Sequence, residues 1–137
     1  MAGWTNYLEA KILDHLFGGS TFSQPADLWI GLSTSDPSDD AGTGFTEPSG
    51  NGYARVQIPN QSGDGNWNAA SGGSKTNASS FSFNEATGSW GTIVAFGIFD
   101  QSTSGNLLLW GELTVDKTIS SGNILRFPAG DLSLTLD

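Results

Sequence analysis

The sequence predicts an all-β fold, a mainly antiparallel β-sandwich or jelly-roll-like domain with one amphipathic helix at its N-terminus. Three observations predict it. A single apolar stripe of 3.6-residue period is confined to residues 4–17; short β-rich segments follow one another after it; and nineteen glycines, with abundant Ser, Asn and Thr, punctuate them. At 137 residues the chain is expected to form one domain (1–137), with the helix in 1–19 and the β-sandwich in 27–137. A domain of that size buries roughly two thirds of its unfolded surface.

The helix is expected over Asn6–Phe17. Trp4, Leu8, Ile12 and Leu16 recur every fourth residue, Leu13 and Phe17 widen the stripe, and Ile12 lies at its middle. Asn6 is placed to cap it with Glu9 three residues on, and Gly18-Gly19 supplies the stop. About three turns are not stable alone in water, so the stripe must dock, either on the chain's own sheet or on a sister subunit or larger assembly.

Leu28-Trp-Ile-Gly-Leu32 reads as a mostly buried strand, with Trp29 in the core. Tyr53–Ile58 alternates, and Phe81 and Phe83 share one face with Ser82 opposite. Ile93–Phe99 and Leu107–Val115 flank the polar link Asp100–Asn106 and predict a long antiparallel hairpin, in which Trp110 is also a core residue. Gly97 and Gly111 inside those strands predict bulges or close backbone approach. Ile119, Ile124–Phe127 and Leu132–Leu136 complete seven or eight strands. Ser33–Gly52 and Asn60–Ser80 read as long loops, the second with Trp67 as its one large apolar anchor.

Charge narrows the classes of partner. Five Lys/Arg against fourteen Asp/Glu give a formal net charge of −9, which repels phosphate backbones and anionic membranes. Nucleic acid and membrane are therefore not expected partners. Glu9, Lys11 and Asp14 interrupt the first apolar stretch, so no signal peptide is expected and synthesis is assigned to a cytoplasm. With no cysteine, disulfides and thiolate chemistry are excluded.

Candidate chemistry is sparse. His15 is the only histidine, and its neighbour Asp14 is on a different helix face, so the two form no orienting dyad. No serine stands in a G-x-S-x-G elbow, and no catalytic residue or cofactor is assigned. Asp36, Asp39 and Asp40 are weak metal candidates, because hard cations take several oxygens from flexible loops, but their spacing lacks the alternation of an EF-hand. Asn60-Gln-Ser62 and Asn77-Ala-Ser79 match the glycosylation sequon. Trp67 and Trp90, in or beside loops, are the tryptophans that could form an exposed sugar-stacking platform, although loop tryptophans more often pin a loop to the core.

Four long segments together carry a family likeness: Asn6–Phe17, Leu28–Pro37, Glu47–Val56 and Trp90–Asp100, joined by Leu107–Leu113 and the ending Ala129–Leu136. The chain resembles small tailed-bacteriophage virion proteins often labelled as tail fibre proteins. The resemblance implies a structural protein of the virion, not an enzyme, assembled in the host bacterial cytoplasm. Its partners would be other virion proteins, above all the major capsid protein, and further copies of itself in a trimer. A compact acidic chain without a shaft repeat favours a head-decoration, or cement, protein that stabilises the capsid lattice; the alternative is a tail fibre or tail-tip component with carbohydrate adhesion. The interface is expected at Trp4, Leu8, Ile12 and Trp67.

Overall fold

The computed structural model describes residues 2–136 and contains nine strands and one helix. They are β1 (Ala2–Trp4), α1 (Asn6–Leu13), β2 (Asp27–Ser33), β3 (Val56–Pro59), β4 (Ser74–Thr76), β5 (Phe81–Ser82), β6 (Gly91–Phe99), β7 (Leu107–Ile119), β8 (Arg126–Phe127) and β9 (Ser133–Thr135). Seven strands make one sheet in the order β3-β2-β6-β7-β1-β9-β4, and β5 and β8 pair as a separate ribbon. Every pairing is antiparallel except β1 with β9. The fold is all-β and mainly antiparallel with one short N-terminal helix, as expected, and its strands divide seven and two between the sheet and the ribbon.

The predicted hairpin is the spine of the sheet. β6 and β7 pair from Gly91↔Ile119 to Phe99↔Leu107, and β2 adds on β6 from Trp29↔Phe99 to Ser33↔Ala95. Residues paired across the ladder share a face. Leu28, Ile30, Leu32, Phe96, Ile98 and Leu109 therefore point to the core, and Trp29, Gly31, Gly97 and Trp110 to the other side. Both tryptophans are half-buried, so their expected place in the core is corrected: strand propensity locates a strand, but register decides the face. The ribbon covers the core face with Phe81, Phe83 and Phe127, whose ring stands edge-on to Phe96 at 5.7 Å. Gly97 is a close approach, since a Cβ there would lie 2.6 Å from Leu107 Cδ1 and 2.9 Å from Phe45 Cε2. The register with β7 slips at two places, at Val94 past Leu113–Asp116 and, beside Gly97, between Ile98 and Phe99, where Leu108 is skipped.

The N-terminus departs from expectation. Trp4 lies in β1 opposite Leu109, and its indole Nε1 donates to Thr135 O at 3.1 Å, so it belongs to the sheet and not to the helix stripe. Thr5, not Asn6, is the N-cap; its Oγ1 accepts from Leu8 N at 3.4 Å and also lies 2.7 Å from Leu107 O. On α1 only Leu8 is buried, which packs it against the chain's own sheet. Ile12 is half-buried, so the position most sensitive to a charge is Leu8 rather than the middle of the stripe. The helix ends at Leu13 and passes into a π-helical turn over Asp14–Gly18, closed by Gly19 at φ 77°. Leu13, Leu16 and Phe17 are 58%, 63% and 82% exposed.

The two long loops are more ordered than their composition suggests. Asn60–Ser80 contains β4, which pairs with β9, and a bridge between Trp67 and Asn77. Of the segment Tyr53–Ile58 only Val56 onward is strand, and at the C-terminal end Ile124 and Leu136 are exposed. Among the described residues no helix is long and apolar enough to cross a membrane.

Candidate functional site

Two features of the surface go beyond what folding needs. The first is built where β3 stops. The last β2–β3 pair is Ile30↔Val56, and the Leu32 N–H beyond it donates to the Tyr53 hydroxyl at 2.9 Å. That hydroxyl donates to Glu47 Oε1 at 2.7 Å. Arg55 then clamps Glu47 with both arms of its fork, Nε to Oε1 at 2.9 Å and Nη2 to Oε2 at 2.8 Å. Its Nη1 donates to Gln101 O and Ser104 O, each at 2.8 Å, and the guanidinium lies 3.5 Å from the centroid of the Phe99 ring. Only 6% of the Arg55 side chain and 27% of Glu47 is exposed.

Burial, opposed by the Leu32 amide and reinforced by the neighbouring carboxylate, pushes the Tyr53 hydroxyl far above its ordinary pKa of 10.0. It is therefore a neutral donor to Glu47 at physiological pH. The chain thus spends one of its five cations in tying β2, the 47–55 segment and the hairpin tip together. The tip is also closed on itself, with Asp100 accepting from Asn106 N at 2.7 Å and Asn106 Nδ2 at 2.8 Å. Trp29, Pro48 and Ser102–Ser104 complete the walls of a cleft of about 370 Å³ above this network.

The network imposes one requirement on sequence. A Cβ at Gly31 would lie 2.7 Å from Glu47 Oε1 and 2.9 Å from Phe99 Cε2. Gly31→Ala is expected to cost about 2 kcal/mol by displacing the carboxylate and ring, as overpacking does. Urea unfolding checks this, and an unchanged midpoint would mean that the carboxylate is not held against β2.

The second feature is apolar. The exposed Leu13, Leu16 and Phe17 follow directly on the helix segment that walls a groove of about 360 Å³ between Trp4, Leu8, Leu28, Leu108, Leu134 and Leu136. Large apolar side chains left exposed together at one helix end mark interaction sites on soluble proteins.

The other sequence candidates fall elsewhere. Trp90 is buried, 4% exposed, with its indole donating to Asn51 O at 2.8 Å, and so forms no sugar platform. Trp67 is half-buried and packs against Phe81 at 6.1 Å, pinning its loop to the core. His15 Nδ1 accepts from Phe22 N at 3.1 Å on an exposed turn. Asp39 accepts from Thr43 N and Oγ1, at 2.9 and 2.7 Å, and these bonds, the hydroxyl's first, hold its carboxyl below the usual range. Among the described residues no three His, Cys, Asp or Glu side chains gather to hold a metal, so Asp36, Asp39 and Asp40 are not drawn into a ligand set.

Sequence reasoning missed the ion pair because its partners are eight residues apart on an irregular segment. It also missed Asn77, which looks like a sequon and is a fully buried structural residue. The model of the family described as Podophage GP4 fiber I protein gp80 matches residues 3–135. Among curated proteins nothing matches the chain.

Proposed function

The chain belongs to the Podophage GP4 fiber I protein gp80 family, and from that membership we propose that it is a fibre-associated subunit of the phage particle. It is a phage structural protein, and its partners are other virion proteins. The observation that carries the reading is the family match along residues 3–135. The exposed apolar helix end supports it, because a subunit that assembles must keep apolar surface open until its partner covers it. We take the role to be structural rather than catalytic.

Head decoration is the second reading. It is favoured by the net charge of −9, since an acidic outer layer limits sticking to DNA and to other particles. Gold-labelled antibodies on intact particles test both readings. Label on tail fibres supports the first, label over the head the second, and a bare particle overturns both.

The contact surface makes its own prediction. Replacing Leu16 and Phe17 together with Ser should leave stability within about 0.5 kcal/mol, because both side chains are already in solvent. The same variant should be strongly depleted from purified particles. The mass of the isolated protein in light scattering then separates the occupants: a multiple lost on substitution means that copies, as in the expected trimer, cover the helix end, and a monomer means another virion protein does. Wild-type incorporation of the variant would show that assembly does not use this turn.

A further inference from the structure

We propose that the cleft between Trp29 and the hairpin tip binds a neutral saccharide. The proposal concerns this cleft alone and holds wherever on the particle the protein sits. Saccharide rings present apolar C–H faces and a rim of hydroxyls, so they are recognised by an aromatic side chain beside fixed donors and acceptors. The cleft has both. Trp29 lines one side, on the face of β2 away from the core, and Ser102, Thr103 and Ser104 bring hydroxyls to the other. Glu47 adds a partly exposed carboxylate, whose Oε2 accepts from Arg55 Nη2 and keeps further acceptor capacity for a sugar hydroxyl.

What distinguishes the cleft from an ordinary loop groove is that its polar groups are fixed in advance. Glu47 is held by Tyr53 Oη and by both arms of Arg55, and Arg55 in turn grips the hairpin tip at Gln101 O and Ser104 O. Asp100 closes the base of the same tip on Asn106. A ligand entering here does not have to order the loop, so its few hydrogen bonds count toward affinity instead of being offset by lost loop entropy.

Charge selects the class of ligand. Within the cleft Glu47 and Arg55 neutralise each other, so neither a bare anion nor a bare cation meets an uncompensated partner. The chain as a whole carries −9, which repels phosphorylated or carboxylated glycans. A neutral sugar is the ligand that uses the ring, the hydroxyls and the carboxylate without an electrostatic penalty.

The test is a titration of the ¹⁵N-labelled full chain, followed by NMR. The probes are glucose, galactose, mannose, N-acetylglucosamine, lactose and maltose, each to about 50 mM, because a shallow site of this kind binds in the millimolar range. The expected result is a saturable shift for at least one sugar, confined to the Trp29 indole N–H and the amides of residues 101–105. The Ser102→Ala, Thr103→Ala double variant changes only exposed hydroxyls, so it keeps the fold and should bind that sugar about tenfold more weakly. No saturable shift with any of the six would overturn the proposal. So would shifts centred on Trp67 or the helix, undiminished affinity in the double variant, or tighter binding of N-acetylneuraminic acid than of every neutral sugar.

Discussion

Asn77→Ala should be among the most damaging truncations of a polar residue in the chain, costing about 3 kcal/mol. The Asn77 side chain is fully buried and uses both donors and both acceptor positions. Nδ2 donates to Ser79 O at 2.7 Å and Pro128 O at 2.9 Å, and Oδ1 accepts from Gly130 N at 3.0 Å and Leu132 N at 2.9 Å. These bonds join the end of the 60–80 segment to the turn that leads into β9. Alanine would leave Ser79 O and Leu132 N without a partner, whereas Pro128 O keeps Asp131 N and Gly130 N keeps the Asn77 carbonyl. Each orphaned group is worth about 1–3 kcal/mol when buried, with relaxation and entering water recovering part.

Urea unfolding measures the loss, and a cost below about 1 kcal/mol would mean that water replaces the amide fully. Asn77→Asp is the sharper control, because it keeps the shape and the acceptors but turns the donors into a carboxylate facing two carbonyl oxygens. That environment raises the folded-state pKa of the new carboxyl. Its penalty is therefore largest above that raised pKa and shrinks as pH falls toward the unfolded value, so the variant should regain stability relative to the parent in acid.

Asn77 also illustrates what the sequence left hidden. Nothing in Asn77-Ala-Ser79 separates a surface sequon from a polar staple, because its partners Pro128, Gly130 and Leu132 lie more than fifty residues away. What was legible came from local periodicity. Ile93–Phe99 and Leu107–Val115, the strand at Leu28 and the Phe81/Phe83 pair all lie where alternation and β-branching placed them. The helix was legible in kind and not in role. Its stripe repeats correctly, yet Trp4 was captured by β7 and β9, and the π-helical turn carried Leu16 and Phe17 away from any surface of the chain. The tryptophans were sorted by propensity when register decides them: Trp29 lines a cleft and Trp90 is buried. Gly31 looks in sequence like a weak point in a strand, and only the arrival of Glu47 against it shows why no side chain fits.

Arg55→Met is the second large effect, expected at about 3 kcal/mol, and it asks what the ion pair is for. An exposed pair would be worth little, and a buried pair is often replaceable by apolar residues without loss. Arg55 differs because two of its four hydrogen bonds go to carbonyls that do not titrate, Gln101 O and Ser104 O, while the other two hold the Glu47 carboxylate that accepts from the Tyr53 hydroxyl satisfying Leu32 N. Methionine can still cover the Phe99 ring, so the loss isolates the polar fork from packing. Arg55→Lys should recover little, because an ammonium cannot reach a bidentate carboxylate and two carbonyls at once.

The cycle with Glu47→Gln separates charge from geometry. If the cost of Arg55→Met is mainly a stranded carboxylate, the double variant should be about 1 kcal/mol more stable than Arg55→Met alone, a discount already applied for the 27% exposure of Glu47. If the cost is mainly the freed hairpin tip, the double variant should gain nothing, and amide exchange at residues 102–105 should rise equally in both. The second outcome is the one that couples fold to recognition. It would mean that the chain holds a buried cation against the cost of desolvating it in order to keep Ser102 and Thr103 still beside Trp29, and the folded Arg55→Met protein should then lose the saccharide response as well.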